Sequence, residues 1–257
     1  MSELAVSAPP SASSPEERAR TLLRAIHSIA DAGECDRFLD TLLAHPQPVV
    51  VGFVNAHAIN LVWRDAGILD AFLKANVLLR DGSGTAMWMR ALGLPEGLNL
   101  NGTDLIPRIL ARAGKRPLAI LGTRDPYLFD VVGRLKAEGH AVVASRDGFQ
   151  PEADYGRLCA ETQPQVVVLA MGMPKQERVA EHVRAAASGP CLILCGGAII
   201  DFMAGRFARA PIWMRRLGIE WIYRLVQEPR RLLGRYVVGV PVSLYRLRRV
   251  KRHFSRD

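Results

Sequence analysis

Six short apolar runs, each ending on glycine or a polar residue, constrain this chain more than any other feature it carries. Val49-Val50-Val51 leads to Asn55, Val77-Leu78-Leu79 to Asp81-Gly82, and Leu118-Ala119-Ile120-Leu121 to Gly122-Thr123. Ala141-Val142-Val143 leads to Asp147-Gly148, Val166-Val167-Val168-Leu169 to Gly172, and Cys191-Leu192-Ile193-Leu194 to Gly196-Gly197. Runs of this length, bounded by turn residues and followed by helix-permissive sequence, read as buried strands that each feed a tight turn and a helix. Regular alternation of strand and helix calls for right-handed crossovers, hence an α/β fold with a mostly parallel sheet and helices on both faces. Ligands of such sheets bind outside the carboxyl ends of the strands, which makes the edge where these polar and glycine residues gather the expected site.

At that edge Asp81 holds a carboxylate where it can face a reacting group. The structural alternative is a helix cap, since Asp is a preferred N-cap residue. His57, at the entry to the helix after the first run, is read as a capping or packing residue in preference to a base. Thr103 or Asp104 opens the helix that runs to Ala113, as N-cap or as ligand contact. The densest polar cluster is Gly172-Met173-Pro174-Lys175-Gln176-Glu177. Pro174 suits a first helical turn, whose backbone amides favour a phosphate, and Gln176 and Glu177 can hydrogen-bond a sugar or a base. The dinucleotide fingerprint fails: Asp81-Gly82-Ser83-Gly84 lacks the third glycine, Gly122-Thr123-Arg124-Asp125 lacks the second, and no Walker lysine follows either. A nicotinamide dehydrogenase is thereby disfavoured.

With 257 residues and 49% hydrophobic content, the chain can build one sizeable core and an appendage. Residues 1–15 are rich in Ser, Ala and Pro and are expected to form a disordered tail, not a signal peptide. Two helices broken at Gly33 are expected between Glu16 and Ala44. The four cysteines, Cys35, Cys159, Cys191 and Cys195, form no close CxxC pair. Cys191 and Cys195 fall on one face of a strand, about 13 Å apart, too far to bridge. Buried thiols in a reducing compartment are expected, with no zinc site. No apolar run approaches the roughly 20 residues of a membrane span, so the expected location is the cytoplasmic side.

The net charge of +9 is unevenly placed: Arg206 to Asp257 holds fourteen Lys or Arg against three acids, a net +11, and the rest is −2. An excess confined to the C-terminal fifth points to an anionic partner, a membrane surface or a nucleic acid. The domain boundaries that follow are a core over 16–205 and a basic, amphipathic, helical appendage over 206–257. For a nucleic-acid arm speak Arg246, Arg248, Arg249, Lys251 and Arg252; for a membrane interface speak Trp213, Trp221, Tyr223 and Tyr236 interleaved with Leu and Val.

Taken together, these residues resemble the WecG/TagA/CpsF family of glycosyltransferases from about Val49 to Tyr236. The specific pieces are Asp81-Gly82-x-Gly84, Gly102-Thr103-Asp104-Leu105, Gly172-x-Pro174-Lys175-Gln176-Glu177, and Gly196-Gly197-Ala198 with Asp201 and Gly205. Arg209-Ala210-Pro211, Gly218-Ile219-Glu220-Trp221 and Glu228-Pro229-Arg230-Arg231 continue the likeness. The resemblance implies a Rossmann-like domain and transfer of a sugar from a UDP-sugar donor to a polyprenyl-diphosphate-linked saccharide acceptor, with inversion. It puts the catalytic base on Asp81, the donor pocket on Asn55, Gly122, Gln176, Glu177 and Asp201, and the diphosphate on Arg224 and Arg231. It implies no metal and no cofactor, an anionic membrane surface as partner at the cytoplasmic face of the bacterial inner membrane, no nucleic acid, and leaves self-association into a homo-oligomer open. Two positions depart from the pattern: Phe53 stands where the family often has Thr, and Asn99 where it often has Arg. The variant is more similar to the exopolysaccharide branch, which implies a UDP-hexose such as UDP-glucose.

Overall fold

A computed structural model describes residues 14–254, with the side chains of Arg216, Arg231, Arg235, Tyr236 and Phe254 excepted. The expected tail falls outside the described residues apart from Ser14 and Pro15, and so does the Arg231 side chain. Helices α1 (Pro15–Arg24) and α2 (Ala32–Ala44) precede strand β1 (Val49–Val54); α3 (Ala56–Arg64) and α4 (Ala66–Leu73) lead to β2 (Val77–Arg80). Then come α5 (Gly82–Ala91), α6 (Gly102–Ala113), β3 (Leu118–Gly122), α7 (Tyr127–Ala137), β4 (Val142–Arg146), α8 (Glu152–Thr162), β5 (Val166–Ala170), α9 (Lys175–Ala186) and β6 (Leu192–Cys195). The remaining elements are α10 (Ile199–Met203), α11 (Ile212–Arg216), α12 (Glu220–Gln227), α13 (Pro229–Leu233), a π-helical turn over Gly234–Val238, and α14 (Gly239–Phe254).

All six runs are strands of one sheet in the order β2-β1-β6-β5-β3-β4, and every neighbouring pair is parallel. Alternate side chains serve opposite faces. Val50, Val54, Leu78, Leu121, Val167, Leu169 and Ile193 pack with α1, α3, α4 and α9, while Val51, Phe53, Leu79, Ile120, Val168 and Leu194 pack with α2, α6 and α7. Burial on both faces is why the runs are continuous rather than alternating in hydrophobicity. Each buried aliphatic side chain contributes about 1.5–3 kcal/mol. Only the edge strand β4 among the six is substantially exposed.

Local chemistry sets the helix ends. Ser14 and Glu17 form a reciprocal capping box at α1, with Pro15 at the first helical position. The break between the first two helices lies over residues 25–31, not at Gly33. Asp31 caps α2 through Glu34 N at 2.9 Å, and the chain before it runs beside β2, with His27 N donating to Leu78 O at 2.7 Å. α6 is capped by Asn101, whose Oδ1 accepts from Asp104 N at 3.0 Å, so Thr103 and Asp104 lie inside its first turn. Pro174 occupies the N-cap position of α9, one residue before the helix.

The packed core runs past residue 205 into the last helix. α14 lies against α1, α3 and α5, buries Leu247 and Val250, and receives a bond from Trp88 Nε1 to Ser243 Oγ at 2.8 Å. Arg249 pairs with Glu16 at 2.6 Å. All four cysteines are free and buried. No helix among the described residues is long and apolar enough to cross a membrane.

Candidate active site

A cavity of about 480 Å³ opens at the carboxyl edge of the sheet, and every strand delivers residues to its wall. β1 supplies Phe53 and, just beyond it, Asn55; β2 leads to Asp81, β3 to Thr123 and Arg124, and β4 to Gly148 and Phe149. Ala170 to Met173 follow β5 and Gly196 to Ala198 follow β6, while Arg206, Arg224 and Glu228 close the mouth from the C-terminal segment. The volume is that of a site for an organic ligand of nucleotide size.

Asp81 sits at the N-cap position of α5 but its side chain makes no capping bond. The first amide of the helix is served by a neighbour: Asn99 Oδ1 accepts from Gly82 N at 2.8 Å. The carboxylate instead faces the cavity, where Asn55 Nδ2 donates to its Oδ2 at 3.4 Å. Asn55 is itself fixed, since its Oδ1 accepts from His57 N at 3.0 Å and Ala58 N at 3.1 Å and so caps α3. His57 lines the cavity from the first turn of that helix.

Gln176 reaches the cavity wall, but its amide is committed to the protein. Nε2 donates to Glu177 Oε1 at 2.9 Å and to Cys195 O at 3.1 Å, and Oε1 accepts from Gly197 N at 2.9 Å. The pair therefore clamps the turn after β6. Glu177 stands behind Gln176, off the cavity, and burial pushes its carboxyl up to about 7, with Oε2 unbonded among the described residues. Gly122 also lies behind the wall. Its φ is +139°, and a Cβ there would sit 2.3 Å from Ala170 O, so only glycine lets β3 end this close to β5. Thr123, at φ 49°, turns its Oγ1 to Asp201 Oδ1 at 2.6 Å.

Cations converge on one side of the cavity. Arg206 reaches Asp201 Oδ1 at 3.3 Å, with its guanidinium 4.7 Å from the Tyr127 ring centre and 4.9 Å from that of Phe207. Arg224 lies 4.9 Å over the Phe202 ring, and Arg124 lines the same wall. Lys175 of the same polar cluster bonds Gly148 O at 2.9 Å and Gln150 O at 2.7 Å. It stiffens the loop that carries Phe149, a loop also held by Asp147, whose carboxyl is kept below its usual range by the Gln150 and Phe149 bonds. Asp104 is engaged by Arg209 and, at 3.5 Å, by Arg215.

Of the residues expected from the sequence, Asp81, Asn55, Gln176, Asp201 and Arg224 meet at the cavity, and Gly122 and Glu177 support it from behind. Thr123 marks a strand end on the expected edge, whereas Arg124, Phe149, Arg206 and Glu228 were not anticipated there. Arg124 and Phe149 follow immediately on turns the strand pattern marks, and Arg206 follows Gly205, so position was legible where side-chain direction was not. Chemically the site pairs a strand-end carboxylate that makes no helix-capping bond with a cationic wall, as a proton acceptor opposite a bound anion requires. Among the described residues no group of side chains is arranged to hold a metal ion.

Comparison with known proteins follows the same lines. The chain is 28% identical over 187 residues, 71% of its length and 73% of the relative's, to the N-acetylglucosaminyldiphosphoundecaprenol N-acetyl-beta-D-mannosaminyltransferase of Bacillus subtilis (strain 168). The model of the glycosyl transferase WecG/TagA/CpsF family matches residues 23–257, a stretch that includes every strand and turn of the cavity. The protein is a glycosyltransferase and belongs to the WecG/TagA/CpsF family.

Proposed function

We propose that the protein transfers a hexose from a UDP-sugar to a saccharide carried on a polyprenyl diphosphate, with inversion and without a metal, while bound to the cytoplasmic face of the inner membrane. The observation that carries this reading is the Asp81 carboxylate, at a helix N-cap yet making no capping bond, held at the cavity by Asn55. Asp81 takes the proton of the acceptor hydroxyl as that oxygen bonds to the anomeric carbon and the bond from that carbon to the UDP oxygen breaks. One displacement from the opposite face inverts the centre. Arg124, Arg206 and Arg224 balance the charge that develops on the leaving diphosphate, and the exposed Phe149 ring at the mouth offers a stacking face to the base. Asp201, whose Oδ1 is held by Thr123 and Arg206, has Oδ2 for a donor hydroxyl. The buried Phe53 ring gives the sugar end of the pocket an apolar wall, which favours a plain hexose over the acetamido sugar named for the Bacillus relative.

The relative's name includes a lipid diphosphate bearing N-acetylglucosamine, the acceptor class we carry over to this chain. Such a lipid stays in the bilayer, and the C-terminal surface suits that setting. Trp213, Leu217, Val226, Val237, Val238 and Tyr245 are 58% to 75% exposed, and Arg248, Lys251 and Arg252 of the same C-terminal segment are exposed too. A nucleic-acid arm is disfavoured because Arg246 is buried against Asn60 and Arg249 is paired with Glu16.

The test is product mass after incubation with UDP-sugars and a lipid-diphosphate saccharide. Asp81→Asn is expected to lower turnover by a factor on the order of 10² to 10⁴ with UDP affinity retained. Near-normal turnover in a folded Asp81→Asn protein removes the base assignment, and absence of UDP release with every pairing removes the donor and acceptor classes.

A further inference from the structure

Asn55 and Asp81 stand at the N-caps of α3 and α5, and both helices are fastened to the same third element. On α14, Gly239, Ser243 and Arg246 follow one another at helical spacing, which places them on one face. From that face Ser243 Oγ accepts from Trp88 Nε1 of α5 at 2.8 Å, both groups buried. Arg246 Nη1 donates to Asn60 Oδ1 of α3 at 2.6 Å and to Asn60 O at 3.2 Å, and Asn60 Nδ2 returns a bond to Gly239 O at 3.3 Å. Arg246 also lies 5.2 Å over the Trp63 ring of α3. Leu247 and Val250 continue the same stripe into the core.

These fastenings are close to the chemistry. At 1.5 Å per residue, Asn60 is about 7 Å along α3 from Asn55, and Trp88 about 10 Å along α5 from Asp81. They are also polar where packing alone would accept hydrocarbon, and a fully bonded buried polar pair fixes one register where an apolar contact tolerates several. What the register governs is sensitive: the Asn55–Asp81 bond is 3.4 Å, at the outer limit of a hydrogen bond, so a relative shift of α3 and α5 by a few tenths of an ångström breaks it.

We propose that Ser243 and Arg246 are positioning residues for the Asn55–Asp81 pair, holding α3 and α5 in register from the helix whose outer face is apolar and basic. The proposal rests on the reading of Asp81 as the base. It makes the seating of α14 a condition of turnover and not of donor binding, because the donor's contacts come mainly from the opposite half of the sheet edge.

The experiment measures kcat, donor KM and UDP affinity by calorimetry for full-length Ser243→Ala, Ser243→Thr, Trp88→Phe, Arg246→Met and the Trp88→Phe/Ser243→Ala double variant, at a temperature where circular dichroism shows each folded. Ser243→Ala and Arg246→Met are expected to lower kcat about tenfold or more with UDP affinity within about twofold, as a misplacement near 1 Å can cost on the order of 10²-fold. Ser243→Thr keeps the hydroxyl and should keep most of the turnover. The double variant should be no slower than its slower parent, since both substitutions remove one bond. If Trp88→Phe does not fold, Ser243→Ala, which deletes a single oxygen, still decides. Wild-type kcat in both Ser243→Ala and Arg246→Met, with only the melting temperature lowered, overturns the proposal. Asp81→Asn assayed in parallel separates the two ideas: full activity there removes the base itself, whereas an inactive Asp81→Asn beside fully active Ser243→Ala and Arg246→Met removes only the positioning role.

Discussion

Glu177 is the residue whose environment departs furthest from what its sequence neighbours imply. Next to Gln176 in a polar cluster it reads as a ligand, yet it is buried and bonded through Gln176 to the turn after β6. Burial raises its carboxyl from 4.5 to about 7. Between those values the folded chain holds a proton that the unfolded chain has released, so stability falls as pH rises through the window and levels off above it. Urea midpoints for the wild type should drop from pH about 5 to about 8 by the equivalent of roughly 2 to 4 kcal/mol, and Glu177→Gln, which cannot ionise, should remove that drop. An unchanged slope in Glu177→Gln would place the titration elsewhere. Asp81 is the contrary case: its position at a strand end was legible, but that its side chain makes no capping bond, while Asn99, 18 residues later, takes the Gly82 amide, was not.

At the scale of elements, the strands were readable because parallel strands buried on both faces must be continuously apolar. The terminal helix was not. Its basic residues and short apolar run read as a surface appendage, whereas α14 seats Leu247 and Val250 among α1, α3 and the sheet-side core. Charge counts do not reveal that Arg246 and Arg249 have partners nearly the whole chain away, in Asn60 and Glu16. Leu247→Ala is expected to cost about 2–5 kcal/mol of unfolding free energy in urea titration, the range for a buried large-to-small change. A detachable tail would show no change at all.

For the whole molecule, the C-terminal segment that closes the cavity through Arg206, Arg224 and Glu228 also carries exposed apolar and cationic side chains. If that segment docks on a bilayer, co-sedimentation should be strong with vesicles containing anionic lipid, weak with purely zwitterionic ones, and reduced by salt. Neutralising Arg248, Lys251 and Arg252 together should weaken binding by about 1 kcal/mol per charge, with the fold intact because these side chains are exposed. Equal binding of the triple variant, or equal binding to zwitterionic vesicles, would refute a role for these charges.

Sequence by itself determined the parallel α/β sheet, the edge on which the site lies, the family, and the placement of Asp81, Asn55, Asp201 and Arg224 near one another, because these depend on periodicity, turn residues and ordered motifs that are local in the chain. Tertiary structure alone decided which polar groups are already satisfied. Gln176 is bound to Gly197 and Lys175 to the loop before α8, while Thr123 is brought to Asp201, and α14 is locked to the helices behind the proposed base. The physical reason is that hydrogen-bond satisfaction and burial are properties of pairs brought together by folding, over separations such as the 155 residues between Trp88 and Ser243 and the 186 between Asn60 and Arg246, and no local pattern encodes which partner a side chain will meet.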